Sequence, residues 1–208
     1  MKNNCFYRFV KRTFDIFCSI VGLILMIPLT IIIKICYIFT GDFKSIFYTQ
    51  DRIGKNGKII HIFKYRSMVW DADEVLKELL KDPKKKKEHD KYKKLDNDPR
   101  ITKVGGILRK LSLDEFPQFL NILIGEMSVI GPRPYLPREV EDMGKYYDYI
   151  VKCRPGLTGL WQVSGRSNTT FDERLVLEKK YVEQYGLLLD LKIFFKTFAA
   201  VFQKKGAK

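Results

Sequence analysis

Between residues 13 and 39 the chain reads TFDIFCSIVGLILMIPLTIIIKICYIF, an almost continuous apolar run preceded by Lys11-Arg12. It is longer than the ~7–15-residue core of a secretory leader, and no small-x-small cleavage motif follows, so it reads as a retained membrane segment. As one straight helix its 27 residues reach roughly 40 Å, enough to cross a ~30 Å hydrocarbon layer with tilt. Pro28 stands in the middle, where it removes a backbone donor and crowds the preceding turn, which predicts a kink. Basic residues lie on both flanks: Lys2, Arg8, Lys11 and Arg12 before, and Lys44, Arg52, Lys55 and Lys58 after. That symmetry favours two ends on the cytoplasmic side, hence a re-entrant hairpin, over a spanning helix. Lys34 can snorkel in either arrangement.

The pattern then changes to short apolar runs. Residues 45–68 read as a β-hairpin, with strand-like stretches at 46–48 and 59–63 and an Asn56-Gly57 pair suited to a type I′ turn. Residues 71–98 are highly charged: DADEVLKELL has helical spacing, and Asp82-Pro83 ends that helix. The lysine run 84–87 fits a solvated loop, with binding of anionic headgroups or phosphate as the sharper alternative. Residues 101–140 are rich in turn chemistry. From 187 to 202, apolar residues at 187, 191, 194, 195, 198 and 202 define an amphipathic helix, for core packing or for the membrane interface.

Composition narrows the class. At 208 residues, with 46% hydrophobic and 30% charged, the chain is one compact domain plus accessories, neither disordered nor collagen-like. The excess of 38 Lys+Arg over 24 Asp+Glu, a net charge of +14, calls for an anionic partner: nucleic acid, anionic lipid or a phosphorylated substrate. The apolar run argues against a nucleic-acid-binding protein. Cys5, Cys18, Cys36 and Cys153 form no CxxC pair, which excludes a disulfide framework or zinc site and suggests a reducing environment. His61 and His89 are too few for a histidine-built metal centre.

Asp114-Glu115 is the most informative pair. Ser112-x-x-Glu115 matches a capping box at a helix start, a purely structural role. A helix N-terminus also favours phosphate, and adjacent carboxylates point in different directions, so one can attack while the other holds a hard cation. Arg109, Arg133, Arg154 and Arg166 crowd the same blocks, three of them beside Pro or Gly that hold a guanidinium in place for phosphate. A membrane scaffold with the same anchor has no use for these groups.

Six blocks occur in order: Lys11-Arg12-Thr13-Phe14-Asp15, Gln50-Asp51-Arg52-Ile53-Gly54, Phe63-Lys64-Tyr65-Arg66-Ser67-Met68, Leu111 to Gln118 (LSLDEFPQ), Gly131-Pro132-Arg133-Pro134 and Arg154-Pro155-Gly156-Leu157-Thr158-Gly159. Together, over about residues 11–204, they closely resemble the bacterial sugar transferase family, the monotopic polyprenyl-phosphate phosphoglycosyl transferases. The resemblance implies transfer of a sugar 1-phosphate from a UDP-sugar to undecaprenyl phosphate, releasing UMP, with Mg²⁺ as cofactor. Asp114 matches the family's nucleophile and Glu115 its metal-holding glutamate. Lys64, Arg66, Arg109, Pro132 and Arg133, with Arg154, Gln162 and Arg166 from the later block, match positions lining the nucleotide-sugar site. It also implies a re-entrant helix kinked at Pro28, although Ile27 stands where the smallest members often have Ser. The C-terminal blocks look like the hexose-1-phosphate transferases of capsule and exopolysaccharide assembly, with glucose or galactose as the leading sugar. The expected fold is α+β: a mostly helical domain at 41–208 with a small hairpin, anchored by residues 1–40 and by amphipathic interfacial helices. The expected location is the cytoplasmic face of a bacterial inner membrane, among membrane lipids and without nucleic acid. Homo-oligomerisation is left open.

Overall fold

A computed structural model of the chain describes residues 5–165 and 169–202. The apolar run and the basic residues before it form one helix, α1 (Cys5–Phe39), with Pro28 inside it. The helix runs through the proline without a break in its residue range. Polar groups gather beside it: Thr30 Oγ1 donates to the Met26 carbonyl at 2.7 Å, and the Tyr65 hydroxyl reaches the same carbonyl at 3.4 Å. Pro28 withholds the N–H that would otherwise reach the Ile24 carbonyl, and the two hydroxyls hold the turn that follows.

Lys11 and Arg12 are not simply flanking charges. Lys11 Nζ donates to Asp190 Oδ2 at 2.6 Å and to the Ile130 carbonyl at 2.9 Å. Arg12 donates to the Ile122 and Leu123 carbonyls, both at 2.7 Å, at a helix C-terminus where carbonyls lack intrahelical donors. Buried Asp15 accepts from Ser128 Oγ and the Val129 N–H. Further along, Tyr37 OH donates to the Arg66 carbonyl. The contacts of α1 with the rest of the chain thus run from Tyr7 to Tyr37, on both sides of Pro28.

The hairpin is present. Strands β1 (Phe47–Ile53) and β2 (Ile59–Tyr65) pair antiparallel, from Phe47 opposite Tyr65 to Ile53 opposite Ile59. Asn56 and Gly57 both take positive φ, 59° and 76°, as a type I′ turn requires. That turn tips a five-residue connection closed by Gly54 N–H to the Lys58 carbonyl at 2.7 Å.

Helix α2 (Ala72–Leu79) is followed by α3 (Pro83–Tyr92), so the lysine run is helical and not a loop. The cause is local: the Asp82 side chain accepts from the Lys84 N–H at 2.8 Å and Pro83 takes the first helical position. The same dipeptide that ends one helix starts another.

The remaining elements are α4 (Lys103–Lys110), α5 (Gln118–Ile124), β3 (Ser128–Ile130), α6 (Val140–Met143), α7 (Tyr147–Ile150), β4 (Gly156–Thr158), α8 (Leu160–Ser164), α9 (Phe171–Gln184) and α10 (Leu187–Phe202). Strands β3 and β4 form a two-stranded parallel pair, with Ser128 opposite Gly156. A Cβ on Gly156 would lie 2.1 Å from the Gly131 nitrogen, so only glycine permits this approach. The contact brings the Arg133 turn against the Arg154 segment. Ile60, Ile62, Ile122, Met127, Val129 and Ile193 sit in the core around which hairpin, α5, β3 and α10 close. On α10 the inward residues are Asp190 and Ile193, whereas Leu188, Leu191, Phe195 and Phe198 are exposed.

Candidate active site

The capping box does not form. Ser112 adopts φ 56°, makes no side-chain cap, and feeds a 3₁₀ turn, Leu113–Glu115, three residues ahead of α5. A left-handed Ser112 reverses the chain after α4 and presents Asp114 and Glu115 to the hairpin rather than to the helix start. Glu115 Oε1 meets Lys64 Nζ of β2 at 3.3 Å. Among the described residues no ion pair engages Asp114.

The two carboxylates differ electrostatically. Burial and the neighbouring Glu115 charge push Asp114 above the usual aspartate range, against opposing pulls from Lys64 and Arg109. Burial would also raise Glu115, but Lys64, Arg133 and Arg52 outweigh it and hold Glu115 below its ordinary value. Lys64 is itself lowered by burial, with Glu115 opposing.

Arg52, Lys64, Glu115, Gln118, Arg133 and Gln162 line a common cleft, together with Pro134, Gly156 and Leu157. Arg52 crosses from β1 and donates from Nη1 to the Pro134 carbonyl at 3.0 Å and from Nη2 to Gln50 Oε1 at 2.5 Å. Arg133 lies over the Trp161 ring, 5.4 Å from its centre, and Arg174 of α9 lies 5.0 Å from that centre. The Arg133 N–H donates to Glu178 Oε1 at 2.8 Å, which fixes the Pro-Arg-Pro turn to α9. Several buried polar atoms here have no partner within the described protein: Arg52 Nε, Gln118 Nε2, Tyr135 Oη, Trp161 Nε1, Gln162 Oε1 and Glu178 Oε2. An unmatched buried polar group costs about 1–3 kcal/mol, so a concentration of them marks a surface built for water or ligand.

Of the residues expected from sequence, Lys64, Glu115, Arg133 and Gln162 line the cleft, and Asp114 adjoins it. Arg109, in the last turn of α4, acts on Asp114 through its charge. Pro132 contributes its carbonyl, which accepts from the Gly156 N–H at 2.7 Å and clamps the two loops. Arg154 is exposed and is not among the cleft residues. Arg66 is engaged elsewhere: it pairs with Asp42 at 2.9 Å, donates to the Ser45 carbonyl and lies over the Tyr37 ring. Arg166 lies outside the described residues. Arg52, Gln118, Arg174 and Glu178 were not expected to belong here. The first two sat in quoted blocks, closing QDR and DEFPQ, and the polarity of Gln118 amid apolar neighbours was the available signal.

The family model described as "Bacterial sugar transferase" matches residues 6–204. The chain is 47% identical over 201 residues to undecaprenyl-phosphate galactose phosphotransferase of Salmonella typhimurium, covering 96% of this chain and 42% of that protein. It is 44% identical to the exopolysaccharide production protein ExoY of Sinorhizobium fredii, covering 95% of this chain and 87% of that one. It is 34% identical to UDP-glucose:undecaprenyl-phosphate glucose-1-phosphate transferase of Escherichia coli, covering 96% and 42%. The chain thus spans less than half of the Salmonella and Escherichia relatives.

Proposed function

The chain belongs to the bacterial sugar transferase family, and from that premise we propose that it moves a hexose 1-phosphate from a UDP-hexose to undecaprenyl phosphate, releasing UMP. The single observation that carries the mechanism is the division of labour between neighbouring carboxylates. Glu115 is held ionised among Lys64, Arg133 and Arg52, while Asp114 is in no ion pair among the described residues. An Asp114 oxygen attacks the phosphorus that bears the hexose; the O–P bond forms as the bond to the bridging oxygen breaks, and UMP leaves with that electron pair. An oxygen of the lipid phosphate then attacks the same phosphorus and returns Asp114 as carboxylate. Lys64, Arg133 and Arg52 offset the negative charge that otherwise repels an anionic nucleophile, and such positioning and charge stabilisation is the main lever in phosphoryl transfer.

The residues suit Mg²⁺. Among the described residues no group of three or more His, Cys, Asp or Glu side chains converges on one point. Glu115, with substrate phosphate oxygens and water, would supply the few carboxylate ligands that Mg²⁺ usually takes from protein. When bound, the ion would neutralise pyrophosphate charge. The sugar is read as galactose or glucose, from the names of the Salmonella and Escherichia relatives.

Packing supports a re-entrant membrane arrangement. A helix crossing the bilayer would carry its far half away from a domain on one face, whereas α1 contacts the catalytic domain from Tyr7 to Tyr37. Both ends of α1 lie on the cytoplasmic side, and the exposed Leu188, Leu191, Phe195 and Phe198 of α10 rest at the interface.

Incubation with UDP-hexose and Mg²⁺ without lipid tests the mechanism. UMP should appear at about one equivalent, and the peptide holding Asp114 should gain one hexose phosphate. Asp114→Asn should abolish both. UMP release that waits for the lipid, with no adduct, would leave direct transfer in a ternary complex.

A further inference from the structure

The cleft beside Glu115 is lined by Arg52, Lys64, Gln118, Arg133 and Gln162. Three of its lining groups carry buried atoms with no partner among the described residues: Arg52 Nε, Gln118 Nε2 and Gln162 Oε1. Gln118 is 2% exposed and Arg52 5% exposed. Arg52 is tethered through both terminal nitrogens, to Pro134 and Gln50, so its Nε is fixed in place.

The three atoms make a mixed demand, two donors and one acceptor. A pyrophosphate offers acceptors alone and leaves Gln162 Oε1 unmatched. A sugar hydroxyl both donates and accepts. Location agrees: the cleft shares Glu115 and Lys64 with the reacting centre. In a UDP-hexose the sugar is joined through one oxygen to the attacked phosphorus, whereas uracil lies beyond a second phosphate and the ribose.

We propose that Gln118, with Gln162 and Arg52 Nε, reads hydroxyls of the transferred hexose, making Gln118 a specificity-determining residue. This rests on the reading of the chain as a UDP-hexose phosphotransferase.

The test compares kcat/KM for UMP release from the preferred UDP-hexose and from its monodeoxy analogues, together with inhibition by UDP, which lacks the hexose. Buried polar groups left unpaired by a missing hydroxyl discriminate steeply, by as much as ~10⁴–10⁵-fold in sites built for it. The wild type should therefore reject at least one deoxy analogue by about 10²-fold or more. Gln118→Met, of similar volume, should lose activity on the parent sugar and reduce that discrimination to within about tenfold, while UDP inhibits as before. Unchanged UDP inhibition also certifies the fold of the variant, and Gln162→Met provides a second, independent substitution. Equal loss of UDP inhibition in both variants would reassign the residues to the nucleotide and overturn the proposal. So would a wild type indifferent to every deoxy sugar. A wild type that releases UMP from no UDP-sugar overturns the underlying reading instead, and this proposal with it.

Discussion

Glu178 has no solvent exposure, one oxygen bonded by the Arg133 N–H and the other without a partner among the described residues. Burial raises its pKa from 4.5 to about 8, against the lowering pull of that hydrogen bond and of Arg133 and Arg174. The folded chain keeps a proton that the unfolded chain releases, so this group's contribution to stability is complete below about 4.5 and is lost as pH rises through about 8. Thermal melts of detergent-solubilised protein should show that decline, and Glu178→Gln should flatten it by on the order of a few kcal/mol across the range. A slope unchanged in the variant would mean that the carboxyl is ionised in the fold. Residues of this kind were not legible in sequence. Asp114-Glu115 announced itself by adjacency, in company with nearby arginines. Glu178, Gln118 and Arg52 acquire their roles from neighbours that are 45, 44 and 82 positions distant: Arg133, Gln162 and Pro134. The opposite error came from Ser112, whose spacing to Glu115 suits a cap but whose φ of 56° turns the chain elsewhere.

Among the elements, α1 and α10 are joined by a buried polar knot. Asp190 Oδ2 accepts from Lys11 and Tyr7, and its Oδ1 accepts from Tyr181. Removing one member of such a pair strands the others in low dielectric, at about 3–5 kcal/mol. Asp190→Ala should therefore lower Tm by roughly 10 °C for a chain of this size. Lys11→Met combined with Asp190→Asn should recover part of that loss in the same melt. Long elements were readable because period and length agree: the apolar run, the hairpin and the helix at 187–202 all appear. The pair β3 and β4, three residues each, and the short helices α6, α7 and α8 carry no periodic signal of their own. Their positions depend on a glycine-permitted contact between Gly131 and Gly156 that no local pattern records. The lysine run was misread because Asp82-Pro83 signals a stop and a start with equal force.

For the whole molecule, the arrangement of α1 has an accessible test. In a background lacking the four native cysteines, Arg8→Cys and Lys55→Cys should be equally shielded from a membrane-impermeant thiol reagent in intact cells. Labelling of one site alone would mean a spanning helix. Pro28→Leu should shift the balance toward spanning, since an uninterrupted apolar helix crosses more readily. The gathering of Thr30 and Tyr65 at the Met26 carbonyl has a mechanical consequence. Lys64 and Tyr65 are consecutive in β2 and point to opposite faces: one reaches Glu115 and the other reaches α1. A single peptide unit thus joins the side chain that meets Glu115 to the one that meets α1 in the turn holding Pro28. On the membrane arrangement proposed for α1, bilayer thickness becomes a kinetic variable. Turnover by the wild type in vesicles should change between thin and thick bilayers, and Tyr65→Phe with Thr30→Val should uncouple the two, leaving a rate that no longer follows the membrane.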